Sequence, residues 1–306
     1  MNYEPLFNWV REREAVRLRR VSGVSPPWTE DPIIANYRFC NVRREDDRVT
    51  VWIRQNIRER FAGHPHLWLM LCIGRQINLP GMLDMLIAEG AWPSDDNPDW
   101  LADMERRMRA RQEAGAQVYT GAYTITAPPT KGASKITFTC ETVIGQLWRD
   151  REVFARHFCT RQTIQATHAK LMRYTAWGEF MAYQAVGDMI FTPLLSDALD
   201  KEIWCAAGPG TIRGLNRLYG RPVKYALSQQ QARSEIRKLY EVIERETGVH
   251  VEFNDVPNCL CETDKYLRVK NGEGEPRARY VAVNPTPAPP VGRGAEETKA
   301  DEVRIK

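Results

Sequence analysis

The sequence predicts a mostly α-helical protein carrying a helix-hairpin-helix and a small β-hairpin inserted between helices. Three observations lead there. Apolar residues recur at three- and four-residue spacing along most of the 306 residues. Gly208-Pro209-Gly210 separates two such runs, 194–207 and the one carrying Ile212, Leu215 and Leu218. Only VYTGAYTITAPPTKGASKITFTC, 118–140, is rich in Tyr, Thr, Ile and Val, with Pro128-Pro129-Thr130-Lys131-Gly132 as a turn, and it reads as a hairpin or loop.

The elements follow in order. Residues 1–22 set Phe7, Trp9, Val10, Val16 and Leu18 among arginines and glutamates, an amphipathic N-terminal arm (1–32) broken by Pro26-Pro27. From Ile33 a short extended piece passes into a helix with Val49, Trp52, Ile53 and Ile57. Arg43, Arg44, Asp46 and Asp47 sit at its entry, where they either cap and pair or hold a phosphate and orient a nucleophile. LWLMLCIGRQIN, 67–78, is almost wholly apolar and predicts a central helix, with His64 and His66 at its entry. An insertion spans about 91–140. Helical periodicity resumes at 141–156 and 160–173 and in FMAYQAVGDMIF, after an interruption at Trp177-Gly178. A helix from about Gln229 to Thr247 precedes a charged segment to Tyr280, in which Gly272 and Gly274 predict a tight loop. The proline-rich end, 283–306, predicts a flexible tail.

Composition excludes little. Lys plus Arg number 43 against 39 Asp plus Glu, a net charge of +4 that a nucleic-acid partner tolerates but does not require. Seven cysteines without a C-x-x-C spacing fit a reduced, cytoplasmic chain, and Cys259-x-Cys261 lacks the further ligands that zinc needs. No run of 18 apolar residues is present, so no membrane partner is expected.

The glycine hairpin, about 194–221, carries the most specific chemistry. Gly208 and Gly210 let backbone N–H groups approach a phosphate oxygen, and Thr211 opens a helix whose dipole favours an anion. Arg213 and Arg217, one turn apart, extend that grip on DNA. The alternative is an αα-hairpin whose glycines only permit close packing.

Several segments in this order resemble one family, the phage alpha-glutamyl/putrescinyl thymine pyrophosphorylases, or amino acid:DNA transferases. They are Tyr37 to Val42 with Arg44 and Asp47, Tyr119 to Tyr123, and Gly178 with Phe180, Tyr183, Gln184 and Asp188. The glycine hairpin and Leu260-Cys261-Glu262, Asp264-Lys265-Tyr266, Gly272-Glu273-Gly274, Pro276-Arg277 and Tyr280 complete the set. The resemblance covers about 33–282, the expected catalytic helical domain, and implies a helical DNA-glycosylase-like fold. The implied reaction displaces pyrophosphate from 5-(pyrophosphoryloxymethyl)uracil in double-stranded DNA with an amino acid or polyamine.

That chemistry asks for a DNA grip, a pocket for a flipped base and cations around a departing pyrophosphate. Arg43, Arg44, Arg268, Lys270, Arg277 and Arg279 are candidates for the leaving group, with Lys265 beside them. Tyr123, Phe180 and Tyr183 are candidates for stacking on the base, although core packing is the favoured explanation of each aromatic. Asp47, Glu262 or Asp264 is positioned in sequence to deprotonate the incoming ammonium. No metal ligand set is expected, and Mg2+ is the one cofactor the reaction would admit. Two alternatives weaken on inspection. Thr211 to Arg233 contains no acid, against base excision, and no G-x-x-x-x-G-K-[ST] string exists, against a self-contained kinase. A noncatalytic modified-DNA binding domain remains the principal rival.

Overall fold

The computed structural model describes residues 1–276 and 279–281, so Arg277 and the 283–306 tail lie outside the described residues. The chain divides into two compact units, one built from 1–47 together with 207 onward, the other from 48–206. Both are helical. Among the described residues the only β pairing is an isolated antiparallel bridge between Tyr37 and Arg279.

In the first unit the helix Pro209–Leu218 lies against Val256–Lys270, with Glu4–Val21 and Gln229–Thr247 packed around that pair. Two glycines set the closeness. A Cβ on Gly210 would fall 2.3 Å from Cys261 Sγ, and one on Gly214 2.3 Å from the Leu260 carbonyl oxygen. The hydroxyl of Thr211 donates to the Pro257 carbonyl at 2.9 Å in the same seam. Leu215, Leu218, Ile236, Leu239, Ile243, Val256 and Leu260 fill the core, each contributing about 1.5–3 kcal/mol by leaving water. Ser228 caps the long helix through the Gln231 N–H, and Gly248, at φ 70°, ends it in the left-handed conformation that glycine adopts without strain.

In the second unit Leu67–Ile77 is buried along its whole length and packs on Glu179–Met189. Trp68 stacks on Phe154 with ring centroids 4.0 Å apart. The one charge in the buried helix, Arg75, meets Asp188 through Nε (2.6 Å) and a terminal nitrogen (2.7 Å), and also donates to Thr50 Oγ1 at 3.0 Å.

Three sequence expectations are corrected. The β-hairpin does not form. Residues 118–134 are loop, and Ser134 then caps a helical stretch, 135–149, that includes a π-helical segment, Phe138–Ile144. Ile136, Thr139, Cys140, Val143 and Ile144 are all buried, so helical burial overrides their β propensity. The helix-hairpin-helix has only its second helix, because 194–207 is a chain of turns. Leu195, Ala198, Trp204, Cys205 and Ala207 are buried from successive turns while Leu199 and Ile203 stay largely exposed, and the Asp200 carboxylate bonds the Ile164 and Gln165 N–H groups of another helix. The charges from Glu262 to Lys270 lie on a helix rather than on a glycine loop.

Candidate active site of the first unit

The segment 38–47 has no helical or sheet partner for most of its backbone, and side chains supply the missing bonds. The Cys40 N–H donates to Glu262 Oε2 at 3.1 Å, the Asn41 N–H to Asp47 Oδ1 at 2.9 Å, and the Arg44 N–H to Asp255 Oδ1 at 2.9 Å. In return Arg13 Nε donates to the Cys40 carbonyl at 3.0 Å, Asn258 to that of Asn41 at 3.3 Å and Lys265 Nζ to that of Arg38 at 3.1 Å. An irregular loop is thereby fixed over the Val256–Lys270 helix with Asp47, Glu262 and Lys265 brought together.

These groups differ in chemistry. Glu262 is buried and holds Lys265 Nζ at 2.6 Å. Burial pulls the Lys265 ammonium down, but Glu262 outweighs it and keeps the group above its ordinary value, so Lys265 is a permanent cation. Asp47 behaves otherwise. Enclosure of its carboxyl raises it to about 6, despite the Asn41 N–H, Arg44 and Arg13, so it exchanges a proton near neutrality. Asp255 is likewise raised to about 6 by burial, but both its oxygens are occupied, by the Arg44 and Glu252 N–H groups. The Cys40 and Cys259 thiols are pushed well up by burial and Cys261 to about 11, so none is a thiolate.

Asp264 is committed to cations. Fully buried, it accepts from Arg213 Nε at 2.7 Å and Arg217 Nε at 2.8 Å. Of the other cations, Arg43 is paired with Asp46 at 2.9 Å, and Lys270 lies over the Tyr266 ring at 5.8 Å. Arg279 stacks on Tyr37 at 4.3 Å and pairs with Glu275. Gly208 caps the Pro209–Leu218 helix with open space where a Cβ would be, whereas Gly210 and Thr211 turn into the helix seam.

The chain belongs to the family of the 5-hmdU DNA kinase helical domain. That family matches residues 2–275, nearly the whole described chain. Over 223 residues the chain is 27% identical to a 5-hmdU DNA kinase of Bacillus phage SP10, an alignment covering 68% of this chain and 34% of that protein. The chain thus spans about a third of the length of this relative of the family. No solved structure matches.

The aromatic candidates belong to the second unit of this helical-domain fold. Tyr123 donates to the Arg75 carbonyl at 2.5 Å and meets Phe180 edge-on at 5.3 Å. Phe180 is 53% exposed. Tyr183 is buried and meets the rings of His168 and Trp204. Sequence reasoning passed over Arg13, Asp255 and Arg75. A lone charge in an apolar helix was the available signal for Arg75; the other two had none. Among the described residues no group of three or more His, Cys, Asp or Glu side chains is arranged to hold a metal, and no helix is long and apolar enough to cross a membrane.

Proposed function

We propose that this chain acts on phage DNA carrying 5-hydroxymethyluracil after its phosphorylation, as a transferase that replaces the pyrophosphate on the base's methylene with an amine. The observation that carries this reading is Asp47, a carboxyl at about 6 set beside Arg44, Arg13 and the Glu262–Lys265 pair. An ammonium attacks only after losing a proton. A carboxylate poised near neutrality takes it, the amine nitrogen bonds to the methylene carbon, and the carbon–oxygen bond breaks to release pyrophosphate. Lys265 stays charged and balances the departing anion together with the neighbouring arginines. In the second unit, taken by itself, Phe180, exposed against Tyr123, offers a face on which an unstacked nucleobase of bound DNA stacks. A Mg2+ ion carried in on phosphate oxygens would need few protein ligands.

The family supports a second reading. The name of the phage relative is that of a kinase three times as long as the aligned part, so the domain alternatively presents modified DNA to a separate phosphoryl-transfer domain without chemistry of its own.

Nucleoside mass spectrometry separates the two. DNA bearing pyrophosphorylated 5-hydroxymethyluracil is incubated with the protein and a pool of amino acids and polyamines. A phosphate-free nucleoside heavier by one amine establishes the transferase and names the amine. Unchanged substrate with intact DNA binding establishes the presenting domain, and free base with abasic sites would overturn both.

A further inference from the structure

The Arg213–Asp264–Arg217 cluster has a charge imbalance that its own geometry explains. Asp264, sealed in the interior, accepts only the Nε of each arginine, which leaves both terminal nitrogens of each guanidinium for other partners. Those of Arg217 grip Glu273 as a fork, Nη1 to Oε1 at 3.0 Å and Nη2 to Oε2. Those of Arg213, whose side chain is 38% exposed, have no acceptor among the described residues. A third guanidinium, Arg268, acts on Glu273, and its buried Nε has no hydrogen-bond partner. Three cations therefore face two carboxylates.

Glu273 differs from Asp264 in every respect that governs displacement. Its side chain is 40% exposed against 2% for Asp264. It projects from a turn just beyond the Val256–Lys270 helix, with Gly272 at φ 69° and Gly274 at φ 140°, a backbone that depends on glycine on both sides. Among the described residues Asn271 Nδ2 is its only other side-chain donor, at 3.0 Å.

We propose that Arg213, Arg217 and Arg268 form a phosphate-binding fork, and that Glu273 occupies it in the free protein as a stand-in carboxylate that an incoming phosphate oxyanion displaces. A guanidinium fork accepts two oxygens of a carboxylate or of a phosphate in the same bidentate geometry, so exchange conserves the hydrogen bonds of Arg217. The phosphate also reaches the idle nitrogens of Arg213, which Glu273 leaves unused. Asp264 holds the two guanidiniums side by side throughout and is a positioning residue. The ligand is a phosphate group, either of the DNA backbone or of free pyrophosphate, and the inference rests on the proposed function only in expecting a phosphate-bearing substrate.

Glu273→Gln removes the competing charge and keeps the shape. Affinity is measured in about 50 mM salt, where phosphate contacts are strong, for a labelled duplex oligonucleotide and separately for inorganic pyrophosphate. Glu241→Gln, on an exposed glutamate paired with Arg237 in the same unit, controls for the general loss of a negative charge. Glu273→Gln is expected to bind one probe about three- to tenfold more tightly than Glu241→Gln does, and adding Arg217→Ala is expected to abolish the gain. Tightening with the duplex assigns the fork to DNA, and tightening with pyrophosphate alone assigns it to the free anion. Equal affinities for the two glutamine variants, a gain that survives Arg217→Ala, or no binding of either probe overturns the proposal, whatever the nucleoside assay gives. Thermal melting of Glu273→Gln checks that the fold is kept.

Discussion

The carbonyl oxygen of Leu260 occupies the space that a side chain on Gly214 would need, 2.3 Å from where its Cβ would be built. The obstacle at Gly210 is instead the Cys261 side chain, whose Sγ is the nearest atom, also at 2.3 Å. Backbone yields only by moving a helix, whereas a side-chain tip can rotate. Gly214→Ala is therefore expected to cost about 2–4 kcal/mol and Gly210→Ala about 1–2 kcal/mol. Urea denaturation of the two variants tests the order, and a larger loss at Gly210 would contradict this account of the seam.

Asp47 makes stability depend on pH in a defined direction. Its value in the folded protein, about 6, lies above its ordinary 3.8, so folding favours the protonated form. The stability this brings is complete below about 3.8 and is lost as pH rises through about 6. Asp47→Asn, neutral at all pH and still able to accept the Asn41 N–H, is expected to gain about 1–3 kcal/mol on wild type between pH 4 and pH 8. Paired urea midpoints at the two pH values decide it.

The same group sets the expected pH profile of transfer. With Asp47 as base, kcat/KM rises with pH through about 6, and Asp47→Asn lowers it by about 10²–10⁴-fold. A variant that retains its rate and the same acid limb would assign the base elsewhere.

In the second unit, Arg75 and Asp188 form a buried bidentate pair. Removing one partner strands the other charge in an apolar helix. Asp188→Ala is expected to destabilise the protein by about 3–5 kcal/mol, read from the denaturation midpoint.

Phe180 offers the opposite case. Being half exposed, its loss should change stability by only about 0.5 kcal/mol, while Phe180→Ala weakens binding to single-stranded or base-flipped DNA by about 1–3 kcal/mol if the ring stacks on a base. Fluorescence anisotropy with a mismatched duplex measures this directly.

The helix at 229–247 was legible because regular apolar spacing marks its one buried face, and that at 67–78 because a run so wholly apolar is buried along its whole length. The stretch from Ser134 misled because threonine and isoleucine favour strands locally. Its period of three and four, through Ile136, Thr139, Cys140, Val143 and Ile144, carried the helical signal. Residues 194–207 misled for the converse reason, since apolar residues were present but no partner surface covered Leu199 or Ile203. Within the site, Asp47, Glu262 and Lys265 stood out as charges in matching segments. Arg13 and Asp255 did not, because they serve the 38–47 loop by bonding its backbone, and backbone partners leave no trace in residue spacing.

The first unit is assembled from two stretches of chain separated by everything from 48 to 206. During synthesis the Glu4–Val21 helix emerges long before the Gln229–Thr247 and Val256–Lys270 helices that pack against it. At typical elongation rates that wait is on the order of ten seconds or more. The intervening unit has all its own partners by then and can fold as the ribosome proceeds, shortening the effective loop that the first unit must close. The N-terminal arginines and glutamates thus keep an unpartnered apolar stripe soluble in the nascent chain, a role distinct from any contact they make once folding is complete.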